Sequence, residues 1–203
     1  MESSYRLKDL KTTPSASATQ NACKLCSPLG AALVFTAPGI PMLFQGQEFL
    51  EDEWFRDTDP IDWNKKDTFH GIFNLYCDLI RLRRNWNNHT RGLRGQHTNV
   101  HHVNNKDKVI AFHRWESGGP GDDVIVVVNL ANRSYPSYNF GFPAQGLWQV
   151  RFNSDWRGYS QDFGNHPGNP VYVHRGARDG MAYNGNVGIG PYSALILSQD
   201  NGA

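Results

Sequence analysis

The chain has 203 residues, 39% of them apolar, with 20 Lys and Arg against 19 Asp and Glu for a formal charge of +1. That length admits one large domain or one domain with an attached fragment, and the even charge balance excludes nucleic acid as a dominant partner, because phosphate neutralisation needs a basic surface. No stretch approaches the roughly 20 apolar residues of a membrane span, and residues 1–22 lack the apolar core of a signal peptide, so a soluble, intracellular chain without a membrane partner is expected.

Residues 1–26 are polar and rich in Ser, Thr and Ala ("TTPSASATQNA"), a composition that cannot offset its chain entropy by burial, and a disordered lead-in is expected there. Ser27-Pro28 is a helix start, with serine at the cap and proline at the first helical position. "LGAALVFTA" carries the helix on, and Pro38-Gly39 stops it. A helix that short is marginal alone and must pack on something. Residues 40–45 are short, continuously apolar and bounded by Gly and Pro, the pattern of a strand buried on both faces. An acidic, aromatic loop follows over 50–66, "LEDEWFRDTDPIDWNKK".

A second helix is predicted from about Thr68 to Asn85, with Asp67 or Thr68 as its cap. Phe69, Ile72, Phe73, Tyr76, Leu79, Ile80 and Arg83 recur at three- and four-residue steps, while Asp78, Arg81 and Arg84 face elsewhere. From there the period changes to that of strands. "NVHHVN", "KVIAFHRW", "DVIVVVNL", "YNFGF", "LWQVRFN", "VYVH" and "SALILSQ" are separated by turn signals such as Gly-Gly-Pro-Gly-Asp, and predict an antiparallel sandwich. The fold class is therefore mainly β: an antiparallel C-terminal β-sandwich over 93–203, preceded by a partial α/β segment over 27–92 and the lead-in of 1–26.

The chemistry-bearing residues are few. Cys23 and Cys26 have the C-x-x-C spacing, but zinc needs a second pair that the sequence does not supply. His101 and His102 are neighbours on a predicted strand and should face opposite sides, which bars them from sharing a metal. The cluster Glu51, Asp52, Glu53, Asp57, Asp59 and Asp62 lacks a recognisable calcium-ligand spacing. No metal or other cofactor is expected. Six Trp and eight Tyr fit either a packed core or exposed faces for flat, weakly polar ligands such as sugars. Asp155, Trp156, Arg157, Tyr159 and Asp162 form a polar-aromatic loop that could serve turn formation, packing or a sugar contact.

Three long stretches carry a resemblance. "GIPMLFQGQEF" (residues 39–49), then "DTDPIDW", then "GIFNLYCDLIRLRRN" resemble the end of the catalytic barrel in the α-amylase family of glycoside hydrolases and transglycosylases, its branching enzyme-like members above all. The tail, "VIVVVNLANRS" through "GLWQVRFNSDWRGYSQDFGN" to "GPYSALIL", resembles the all-β domain that follows that barrel. Together the likeness runs collinearly from Leu29 to Gln199. It implies that 40–44 is the eighth barrel strand, whose C-terminal end opens on the face where such enzymes place their sites. Gln45, Gln47 and Glu48 would then sit at the rim of a glucan cleft with Asp62, and Trp54 and Trp63 could stack on sugar rings; a turn at Gly46 with local hydrogen bonds explains the polar residues equally well.

Retaining glycosidases need two carboxyl groups about 5–5.5 Å apart. The resemblance implies that these stand after the fourth and fifth strands, assisted by a His-Asp after the seventh, all upstream of what matches here. The sequence contains no His-Asp pair, and a barrel takes about 250 residues. The expected role is thus that of the C-terminal part of an α-glucan-active enzyme, in the cytoplasm or a plastid, without catalytic residues of its own. The alternative is a non-catalytic module that binds starch or glycogen, or that supports folding. Residues 27–66, holding a strand with both edges unpaired, should pack onto the sandwich, self-associate, dock on a missing barrel portion or be mobile.

Overall fold

In the computed structural model, residues 27–52 and 56–201 are described; the lead-in of 1–26, with Cys23 and Cys26, and Trp54 of the acidic loop lie outside them. Helix α1 spans 27–36, where the Ser-Pro start and Pro-Gly stop place it. Its inward residues Leu29, Ala31, Ala32 and Phe35 are buried, and Phe35 meets Tyr76 edge to face at 6.2 Å. Of the outcomes foreseen for this stretch, packing onto the sheet is what α1 does.

The strand expected at 40–45 is absent. Residues 40–44 run as irregular chain, and none of the eight strands pairs with them. Ile40, Met42 and Phe44 are 98%, 84% and 62% exposed, whereas Leu43 packs on the core. A strand of a parallel sheet is defined by the neighbours that take its backbone hydrogen bonds, and the apolar run has none here to define it. Gly46, at φ +81°, then turns the chain into a single 3-10 turn, Gln47–Phe49.

The second helix is also two. A short α2 (Asn64–Thr68) ends at Phe69, whose backbone leaves the helical region, and α3 runs His70–Arg83. Neither Asp67 nor Thr68 caps α3: its N-cap is Phe69, without a side-chain cap. The buried stripe is Ile72, Leu75, Tyr76, Leu79 and Leu82. Leu75 and Leu82 therefore replace Phe73 and Ile80 of the predicted face; Ile80 is exposed. Past the helix end, Thr90 donates its hydroxyl to the carbonyl of Leu82 at 2.7 Å, which also accepts the Asn85 N–H at 2.9 Å.

Eight strands follow: β1 (His97–Asn104), β2 (Val109–Trp115), β3 (Val124–Asn129), β4 (Tyr135–Phe142), β5 (Gly146–Asn153), β6 (Val171–Arg178), β7 (Met181–Ile189) and β8 (Ser193–Ser198). They form one antiparallel sheet in the order β1-β2-β3-β8-β5-β6-β7-β4, the mainly-β fold that the sequence predicts. Strand β7 was not expected. Its glycines and asparagines hide it, and the reason is packing: a Cβ on Gly185 would meet Val171 at 2.7 Å and Val173 at 3.0 Å, so the neighbouring side chains need that space.

β5 turns the corner. Residues 146–148 pair with β6 and 149–153 with β8, with a register shift between Val150 and Phe152. The sheet thus closes on itself: Val109, Ala111, Ile125, Val127, Leu195 and Leu197 from one half meet Phe140, Phe142, Trp148, Val173 and Val187 from the other. The opposite faces of the same strands, through Phe112, Val124, Val126, Val128, Ala194 and Ile196, join one core with α1 and α3. This is why β3 and β8 read as unbroken apolar runs although the sheet is antiparallel: helices bury the face that would otherwise be wet.

Two arginines fasten the helical layer. Arg114 of β2, fully buried, donates to the carbonyls of Thr36 at 2.5 Å, Gly95 at 2.6 Å, His97 at 3.2 Å and Leu93 at 3.3 Å. Arg83 of α3 donates to Phe35 at 3.3 Å, Ala37 at 2.8 Å and Gly39. Both guanidinium groups therefore sit on the carbonyl end of α1, where the helix dipole favours cations.

Candidate functional site

Of the residues predicted at a glucan rim, those within the described residues are mostly busy with local structure. Gln47 Oε1 accepts the backbone N–H of Phe44 at 3.3 Å. Asp62 Oδ1 accepts both the backbone and side-chain N–H of Asn64 at 3.0 and 2.9 Å, a turn bond just ahead of Trp63, the N-cap of α2. Trp63 is exposed and lies 5.4 Å from the buried Phe49 ring. Glu48 is half-buried beside Tyr76. Burial first, and then the Glu48 charge, push the Tyr76 hydroxyl pKa above its ordinary value, against the opposing bond with Ser27.

The organiser of this rim is a residue outside the predicted set. Glu51 accepts the backbone N–H of Asp52 at 3.0 Å and of Asp62 at 2.9 Å. Lys65 Nζ lies 2.6 Å from Glu51 Oε1 and 2.5 Å from Asp52 Oδ1. Burial works against the ammonium, but its bonds and charge contacts with Asp52 and Glu51 outweigh that and raise its pKa. The carboxylates of Glu51 and Asp52 are thus bridged by a lysine. Among the described residues no group of three His, Cys, Asp or Glu is placed to hold a metal.

Lys65→Met is expected to loosen the rim by roughly 1–2 kcal/mol, since it strips a partly buried pair of its cation. The Asp52 and Asp62 amides, which donate to Glu51, should then exchange their hydrogens faster by about tenfold, as amide exchange followed by NMR would read. Unchanged protection of both amides would show that Lys65 does not hold the loop.

The histidines divide among separate structural jobs. His113 bonds Asp123 at 2.8 Å and stacks on Trp115, with His97 also stacked on Trp115. His102 lies between Asp179 and the Tyr138 hydroxyl. A bulge between Val100 and His102 breaks the alternation expected for His101 and His102. Both ring nitrogens of His101 are buried without a hydrogen-bond partner among the described residues. Burial lowers its pKa, opposed by the Asn99 backbone and Asp179 and assisted by His113 and His102.

A second place has the shape of a site. A cleft of ≈ 420 Å³ lies between Asp78 of α3 and the β5–β6 loop. The loop is stapled by the buried Asp155 carboxylate, which accepts the N–H of Gly164 at 2.7 Å and of His166 at 2.9 Å. Tyr159 donates its hydroxyl to Asp78 at 2.8 Å, and burial first, then that carboxylate, raise its pKa. Trp156, half exposed, contacts Tyr159 edge to face at 5.0 Å. The sequence marks Trp156 and Tyr159 as an aromatic loop; Asn165 and His166, which also line the cleft, carry no signal of their own.

The architecture is that of the all-β domain at the end of α-amylase-type enzymes. Residues 100–200 match the family described as "Alpha amylase, C-terminal all-beta domain". Residues 100–200 belong to this family. Relatives include the 1,4-alpha-glucan branching enzymes GlgB of Rhodopirellula baltica, 33% identical over 145 residues (66% of this chain, 19% of the relative), and of Corynebacterium glutamicum, 27% identical over 186 residues (82% and 23%). The chain spans about a fifth of the length of these relatives. Among solved structures, the alpha-amylase from H. orenii shares the fold with a TM-score of 0.56 at 18% identity, covering 90% of this chain and 36% of that one. The debranching enzyme from Nostoc punctiforme does so with a TM-score of 0.55 at 16% identity, covering 85% and 30%. No helix among the described residues is long and apolar enough to cross a membrane.

Proposed function

We propose that this chain is a non-catalytic portion of an α-glucan-active enzyme of the branching type, and that by itself it turns over no glucan. The glucan class comes from the branching enzymes it resembles over up to 82% of its length. The observation that carries the absence of turnover is the Lys65 bridge. Glycosidic chemistry needs one carboxyl group able to donate a proton and a second free to attack or to activate water. The carboxylates of Glu51 and Asp52 instead share one ammonium at 2.6 and 2.5 Å, which occupies both. The exposed Ile40, Met42 and Phe44 favour a supporting role in which further polypeptide completes a barrel around this stretch.

The test is direct. Purified 203-residue chain, incubated with amylose, should release no reducing ends and leave both the iodine absorption and the branch-point count unchanged. Turnover above a heat-treated control would overturn the reading.

A further inference from the structure

We propose that the cleft between α3 and the β5–β6 loop binds α-glucan chains, with the Trp156 indole as the platform on which a glucosyl ring lies. The ligand class rests on the glucan reading above; the site rests on its own geometry.

Trp156 differs from a core tryptophan such as Trp148, which is fully buried and donates its indole N–H to Ala144 at 3.0 Å. Trp156 is 51% exposed, yet its ring is held. Tyr159 braces it edge to face, and Tyr159 is itself fixed by Asp78 and by the core it joins. Gly158 makes room for the ring: a Cβ there would lie 2.3–2.5 Å from three atoms of its six-membered portion. An exposed aromatic face set in place beforehand spares a ligand the cost of ordering it.

The polar groups at the mouth suit hydroxyls. Asn165 uses its side-chain oxygen to accept the Arg157 N–H at 3.1 Å. Its amide nitrogen and the His166 imidazole make no hydrogen bond among the described residues, and both line the cleft. Arg151 is tied to Ser198 at 2.9 Å and to Asp200, so its charge is balanced and the cleft is not built for an anion. A pyranose offers an apolar C–H face ringed by hydroxyls, which matches an indole bordered by amide and imidazole nitrogens. The volume of ≈ 420 Å³ falls within the roughly 300–1,000 Å³ of small-ligand sites and suits a short length of glucan.

Calorimetric titration of the 203-residue chain with maltoheptaose, against cellohexaose, tests this. Maltoheptaose should bind and cellohexaose should not. Trp156→Ala should weaken binding by about tenfold or more with the thermal midpoint preserved, Trp156→Tyr should keep most of the affinity, and His166→Ala should weaken it by about threefold. A readout without any variant is the Trp156 indole N–H resonance, which should shift as sugar is added. Absent maltoheptaose binding, an unmoved Trp156 resonance, wild-type affinity in Trp156→Ala, or equal binding of cellohexaose would each overturn the proposal. Binding without turnover leaves the non-catalytic reading standing, and turnover without binding at Trp156 would remove that reading and this site separately.

Discussion

Arg114→Leu should cost roughly 3–5 kcal/mol of folding free energy, a large part of the 5–15 kcal/mol that holds a typical domain together. The reason is the company that the guanidinium keeps. Four backbone carbonyls, of Thr36, Leu93, Gly95 and His97, converge on it, and no carboxylate bonds it among the described residues. Leucine fills part of the volume and removes the cost of burying a charge, but it strands buried acceptors at about 1–3 kcal/mol each. Burial first, and then the neighbouring charge of Arg83, depress the Arg114 pKa to about 10. The folded and unfolded chains thus both keep the proton across the neutral range, and the loss should not vary with pH there. Arg114→Lys should recover little, because a point ammonium cannot span four carbonyls set for a planar fork. Urea unfolding followed by far-ultraviolet circular dichroism measures the effect. A change within about 1 kcal/mol of wild type would mean that α1 is held by its apolar face alone.

How much of this was legible follows from where each element gets its definition. Helix α1 is specified locally: Ser27-Pro28 begins it, Pro38-Gly39 ends it, and both signals act within one turn. Seven strands are likewise announced by β-branched and aromatic runs. The failures are non-local. Residues 40–44 have a composition fit for a buried parallel strand, yet strand geometry comes from flanking backbones that the eight-stranded sheet does not provide. β7 fails the other way, since Gly185 is demanded by Val171 and Val173 across the sheet and weakens the very pattern by which a strand is recognised. Among the candidate site residues, Asp62 and Gln47 stand out for their chemistry, and both make local turn bonds, Asp62 with the Asn64 N–H and Gln47 with the Phe44 N–H. Glu51, one acidic residue among several in the sequence, is singled out only by Lys65, which lies 14 residues further along the chain and becomes a neighbour through folding.

Gly71→Ala should destabilise the chain, against what helix propensity predicts. In an exposed helix interior this exchange gains up to about 1 kcal/mol. Gly71 is in the first turn of α3, and a Cβ there would lie 1.9 Å from the carbonyl oxygen of Tyr159 and 2.6 Å from its carbon. Backbone cannot move aside as a side-chain tip can, so α3 and the β5–β6 loop must separate. That separation disturbs Tyr159 and Phe163 in the core they share with Leu75 and Leu79 and strains the Tyr159–Asp78 bond. A net loss of about 2–4 kcal/mol is expected, which for a chain of this size lowers the thermal midpoint by roughly 5–15 °C. Gly30→Ala in α1 is the matched control: nothing lies within 4 Å of a Cβ there, so the same chemical change should raise stability by a few tenths of a kcal/mol to about 1. Opposite signs in the two variants, read by calorimetry, would locate the effect in the contact and not in the glycine. Because the cleft is walled by Asp78 on one side and Trp156 on the other, Gly71→Ala should also weaken maltoheptaose binding while Gly30→Ala leaves it intact. A Gly71→Ala chain as stable as wild type would show that α3 can ride away from the loop without loss, and the close fit between the helical layer and the sheet would then not be what holds the cleft open.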